Sequence, residues 1–99
     1  MSKSFNVDVI SPEGLVWSGG ATMLIARTTE GEIGILAGHE PLIAELSTGA
    51  VVISQGSSSV SLAVSRGFLR VDESCVTVIS DRVRPHGGGT FEDLRVGTE

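Results

Sequence analysis

Ser59-Val60-Ser61-Leu62-Ala63-Val64-Ser65 is the most strictly alternating stretch of this chain. Val60, Leu62 and Val64 fall on one side; the serines and Ala63 fall on the other. A period of two belongs to a strand, whose successive side chains point to opposite faces; a helix needs 3.6. One face demands burial, while the small serine face suits solvent or a neighbouring chain. Both flanks supply further strands. Upstream, Ala50-Val51-Val52-Ile53 leads into the polar hairpin connection Gln55-Gly56-Ser57-Ser58-Ser59. Downstream, Arg66-Gly67 marks a bulge or tight turn before Phe68-Leu69-Arg70-Val71. Asp72-Glu73-Ser74 then turns into Cys75-Val76-Thr77-Val78-Ile79-Ser80.

The N-terminal half reads the same way. Phe5, Val7 and Val9 alternate with Asn6 and Asp8, and Ser11-Pro12-Glu13-Gly14 has turn chemistry. Leu15-Val16-Trp17 resumes a strand that Ser18-Gly19-Gly20 is expected to break. Residues 21–28 form another apolar, β-branched run. Leu42–Leu46 reads as a short strand, and Ser47-Thr48-Gly49 as a turn. Turn signals recur about every ten residues, and no segment before residue 90 sustains a helical period. The expected fold is all-β: a flattened antiparallel sandwich of about ten short strands. It should occupy residues 1–81. Residues 82–99 read as a glycine-rich linker and mobile tail, in which Thr90 could cap one helical turn too short to stand alone.

Ninety-nine residues make one domain, able to bury roughly two-thirds of its unfolded surface. Forty per cent apolar residues exclude a disordered chain. Aromatics are confined to Phe5, Trp17, Phe68 and Phe91, so the core must be Val, Ile, Leu and Ala. A formal charge of −5, with seven bases among twelve acids, argues against nucleic acid and anionic lipid as partners. The single cysteine, Cys75, forbids an internal disulfide or thiolate cluster. The Met1–Asn6 segment has no apolar core of a secretion signal, and the run Met23–Ala26 is far short of a membrane span. These features lead to the expectation of a soluble, cytosol-facing chain.

The chemistry-bearing stretch is Thr28-Thr29-Glu30-Gly31-Glu32-Ile33-Gly34-Ile35-Leu36-Ala37-Gly38-His39-Glu40-Pro41-Leu42. Glycines and the Glu40-Pro41 pair give it a specified shape, and shaped loops on rigid scaffolds are where partners bind. Catalysis is unsupported. His39 and His86 are the only histidines, without the ligand spacing of a metal site. There is no nucleophile elbow, and no Gly-Lys-Ser/Thr follows Gly31 and Gly34 to make a phosphate loop. Glu30 and Glu32 read as solvated acids, and Arg66 and Arg70 as surface residues. The residues therefore describe a binding or structural module with no catalytic residue, cofactor, metal or nucleotide site. The alternative is a stand-alone β-sandwich enzyme or ligand module using His39 and Glu40.

Thr28–Leu36 followed by Gly38-His39-x-Pro41-Leu42 closely resembles the epsilon subunit family of bacterial F-type ATP synthases. The likeness extends through Val7-Asp8-Val9-Ile10-Ser11-Pro12-Glu13, Trp17-Ser18-Gly19, Ala63-Val64-x-x-Gly67-Phe68-Leu69-x-Val71 and Val76-Thr77-Val78-Ile79. Several motifs in order and spacing, over residues 5 to about 81, are far more specific than any one of them. The resemblance implies a sandwich of two antiparallel sheets in a non-catalytic central-stalk subunit. Such a subunit would clamp the gamma shaft to the c-ring, peripheral to the cytoplasmic side of the cell membrane, and couple proton flow to ATP synthesis. It implies Glu30 and Glu32 as charge partners of basic c-ring loops, beside Gly31 and the His39–Pro41 turn. Ile33 and Leu42 would be apolar anchors, and Ser11 would lie against gamma. Members typically carry a helical hairpin after the sandwich. With about eighteen residues beyond residue 81, the expectation here is no hairpin, no self-inhibition and no nucleotide sensing. Ala37 also replaces a proline common at that corner of the loop.

Overall fold

Val60, Leu62 and Val64 are buried, as their alternation requires. They belong to β7 (Ser58–Val64), which pairs antiparallel with β6 (Gly49–Gln55) across the turn Gly56-Ser57. Gly56 there has φ +68°, while Ser57 stays at negative φ, which suits a turn with glycine at its first central position. The computed structural model describes residues 3–85; all regular structure in them is strand.

Three stretches of chain each run through one layer, turn a corner and continue in the other. They are β5 (Leu42–Leu46) into β6, β7 into β8 (Gly67–Val71), and β9 (Cys75–Ser80) into β10 (Val83–Pro85). The corners are Ser47-Thr48, Ser65-Arg66 and Asp81-Arg82. The buried Ser80 hydroxyl ties two of them together, lying 2.9 Å from the Arg82 carbonyl and 3.1 Å from that of Ser65. The Ser65 and Asp81 N–H groups donate across the same corner to the Arg82 and Arg66 carbonyls.

β1 (Phe5–Ser11) and β2 (Gly14–Ala21) extend one layer, and β3 (Met23–Thr28) and β4 (Gly31–Leu36) extend the other. The layers are ordered β4-β3-β6-β7-β10 and β5-β8-β9-β1-β2, linked where Thr28 of β3 meets Leu46 of β5. The result is a ten-stranded, nearly closed sheet folded into a sandwich. Thr22 N–H donates to the Ser54 carbonyl, and Gln55 Nε2 to the Gly20 carbonyl, drawing β2 and β6 together opposite the corners. Trp17, Leu24, Ile35, Leu46, Ile53, Leu62 and Leu69, with Val7, Val9, Val51, Val76 and Val78, fill the space between the layers.

Three local expectations change. Ser18-Gly19-Gly20 does not break the chain: β2 runs through it, with Gly19 opposite Val7 and Gly20 opposite Asn6. A Cβ on Gly19 would come within 2.9 Å of the buried Trp17 ring, so glycine here makes room for an indole rather than a turn. The stretch 28–42 is less a loop than a hairpin, because β4 pairs with β3 from Thr28–Gly31 to Met23–Leu36. Val83–Pro85, assigned to the linker by composition, pairs with β7. Proline is tolerated on that edge strand because its missing N–H faces no ladder partner. The ladders are antiparallel except β1 against β9, which is parallel. The expected tail from His86 onward, including the Thr90 cap, lies outside the described residues.

Candidate interaction surface

The hairpin turns at Ser11-Pro12-Glu13-Gly14 and Thr28-Thr29-Glu30-Gly31 share one design. The first residue's hydroxyl accepts the glutamate N–H, at 3.2 Å in Ser11 and 3.1 Å in Thr28. The last residue is a glycine at φ +117° or +122°, where a side chain is strained. Thr28 Oγ1 also donates to the Gly31 carbonyl at 2.7 Å. Glu30 is thus held outward on a braced turn, with Glu32 exposed just beyond it on β4, across the ladder from Arg27.

The expected site residues do not form one cluster. Glu30 and His39 lie at opposite ends of β4, roughly 17 Å apart along the strand. Glu30, Ile33 and Leu42 come together in a groove of about 380 Å³, completed by Thr28, Thr29, Ile43, Ala44 and Glu45. Ser11 lines a different depression, about 430 Å³, with Arg66, Phe68, Ile79 and Asp81; Glu45 borders both. Pro41 is exposed and Leu42 half-buried against the core. His39 is half-exposed, and its Nδ1 donates to the Glu40 carbonyl at 2.7 Å. Among the described residues no three His, Cys, Asp or Glu side chains group as metal ligands.

Sequence reasoning missed an apolar row on the outer surface. Across the β5-β8-β9-β1-β2 layer, register sets Glu45 opposite Phe68, Phe68 opposite Ile79, Ile79 opposite Ile10 and Ile10 opposite Leu15. Residues opposite one another share a face. That face points to solvent: Phe68 is 52% exposed, Ile79 44% and Leu15 55%. An apolar row therefore crosses the outer face of β8, β9, β1 and β2, and Glu45 of β5 ends it. The next row is Ile43, Arg70, Thr77, Asp8 and Ser18. It is polar apart from Ile43, with Arg70 Nε 3.2 Å from Asp72 Oδ2 and Ser18 donating to Asp8. Phe68 and Ile79 stand out of phase with the buried Leu69, Val71, Val76 and Val78, a signal readable in the sequence. Leu15 gave none: it shares parity with buried Trp17, and only an extra residue, Val16, opposite the Val9/Ile10 step turns it outward.

The family model for the ATP synthase delta/epsilon chain β-sandwich domain matches residues 4–86. This chain belongs to that family. The ATP synthase epsilon chain of Alkalihalophilus pseudofirmus is 42% identical over 78 residues, covering 79% of this chain and 59% of the relative. That of Frankia casuarinae is 39% identical over 79 residues, covering 79% of this chain and 93% of the relative. That of Brevibacillus brevis is 40% identical over 100 residues, covering all of this chain and 75% of the relative. The chain thus spans little more than half of the Alkalihalophilus relative but nearly all of the Frankia one. In fold it is similar to a chain of the Euglena gracilis mitochondrial ATP synthase, solved as OSCP/F1/c-ring. The TM-score is 0.77 at 24% identity, over 89% of this chain and 57% of that one.

Proposed function

We propose that this chain is a non-catalytic rotor subunit of an F-type ATP synthase, joining the gamma shaft to the c-ring at the cytoplasmic face of the cell membrane. The observation that carries this reading is the apolar row Leu15–Ile10–Ile79–Phe68. Solvent-facing aliphatic and aromatic side chains aligned across four strands make a flat, stiff surface that gains by being covered. Gamma is the partner assigned to it, with Ser11 at its margin. The hairpin carrying Glu30, Gly31 and Glu32 takes the basic loops of the ring, where rim charges set register and orientation more than affinity. A rotor joint transmits torque, and a sandwich with bonded corners resists shear better than a hinged element.

Co-expression with gamma from the same source tests the reading: the two chains are expected to purify together. Glu30→Lys with Glu32→Lys is expected to leave the gamma pair intact but to lower proton-driven ATP synthesis in membranes containing the assembled enzyme. Failure to co-purify with gamma overturns the assignment of the row. Normal coupling in the charge-reversed enzyme overturns the assignment of the hairpin.

A further inference from the structure

β5 pairs with β8 along its whole length, but on its other edge it meets β3 only where Thr28 faces Leu46. Two bonds flank that bridge: Thr29 N–H to the Glu45 carbonyl and Ser47 N–H to the Arg27 carbonyl, each 3.0 Å. Along an antiparallel ladder, the groups pointing to one side come from alternate residues. Residues 45 and 47 face β3, so Ile43 faces the same way. Among the described residues, the Ile43 N–H and C=O and the Glu45 N–H have no ladder partner on that edge. Pro41, next in phase, has no N–H.

These open groups lie along the groove already described. Its apolar lining is Ile33, Leu42, Ile43 and Ala44, its charged residues are Glu30 and Glu45, and no lysine or arginine lines it. Ile43, at 72% exposed, is the most exposed large hydrophobic residue of the described chain. A bare strand edge beside exposed aliphatic side chains is a template for another strand, and the two carboxylates favour one that carries cations.

We propose that the open edge of β5 receives an extended, basic segment of the same polypeptide that covers the apolar row. The segment adds antiparallel through Ile43, with aliphatic residues against Ile33 and Leu42 and a Lys or Arg residue beside Glu45. Glu45 ends the apolar row and also borders this groove, so one partner reaches both without a gap. The inference rests on the rotor reading only for the identity of the segment's owner.

The probe is a short capped peptide of alternating valine and threonine with arginine at both ends, added to the isotope-labelled full chain. Amide exchange at Ile43 and Glu45 is expected to slow by about tenfold or more. N-methylation of the peptide residues facing β5 should abolish this protection, and methylation in the opposite phase should leave it. Glu45→Lys should weaken binding by about threefold or more. Absence of protection, or indifference to the methylation phase, overturns the proposal. So does protection in the free chain that vanishes when residues 86–99 are removed, or that grows with protein concentration. The first would make the occupant the chain's own tail, and the second a further copy. None of these outcomes bears on co-purification with gamma, so the two readings fail separately.

Discussion

At the scale of single residues, the tightest constraint is Gly67. Its φ is not left-handed, so turn conformation does not demand glycine there. The demand comes from across the ladder: a Cβ at 67 would drive into the Ile79 carbonyl oxygen and lie 2.8 Å from Ser80 Cα. Backbone cannot retreat as a side-chain tip can. Gly67→Ala is therefore expected to destabilise the chain by about 3 kcal/mol or more, read as a lowered denaturant midpoint. Gly34 makes the contrast, with open space around its missing Cβ and ordinary strand dihedrals on edge strand β4. Gly34→Ala should be neutral or stabilising by about 0.5 kcal/mol in the same measurement. Arg66-Gly67 read from sequence as a bulge or turn, and the corner is indeed at Ser65-Arg66. Why glycine must follow could not be read, because the carbonyl that forbids a side chain lies twelve residues further along the chain.

At the scale of elements, the paired turns show what local chemistry can fix. Ser-Pro-Glu-Gly and Thr-Thr-Glu-Gly both place a hydroxyl over the glutamate N–H before a positive-φ glycine. Thr28→Val keeps the shape of the side chain but removes both hydroxyl bonds. It is expected to cost about 1 kcal/mol by chemical denaturation, and to speed exchange of the Glu30 amide. The first of these turns, and the strict alternation of β1 and β7, were legible because their causes lie within a few residues. The strand β4 was obscured by the glycines and acids that also suit a loop; only its pairing with β3 decides the matter. β2 was cut short for a related reason. Two adjacent glycines usually end a strand, but here one of them yields its space to Trp17, two residues away on the same face.

At the scale of the whole molecule, the surface proposed to bind gamma depends on a pairing that no local signal announces. β1 adds to β9 in parallel, joining residues nearly seventy positions apart, and this sets Ile10 beside Ile79. Without it the exposed row would stop at Phe68 and Ile79. The candidate site was legible only in its acidic half, since charge and glycine mark an exposed, shaped segment in any context, while an apolar row exists only once register is set. The row also makes a separable prediction. Phe68 and Ile79 face solvent in the free chain, so Phe68→Ser with Ile79→Ser removes little folding stability; the thermal midpoint of the isolated protein should stay within a few degrees. Against a covering partner the same side chains would each bury on the order of 100 Å² more, at about 25 cal/mol per Å². The double variant is then expected to bind gamma about a hundredfold or more weaker by titration calorimetry. If instead the variant unfolds while binding per folded molecule is unchanged, the row belongs to the core's support and the shaft must sit elsewhere.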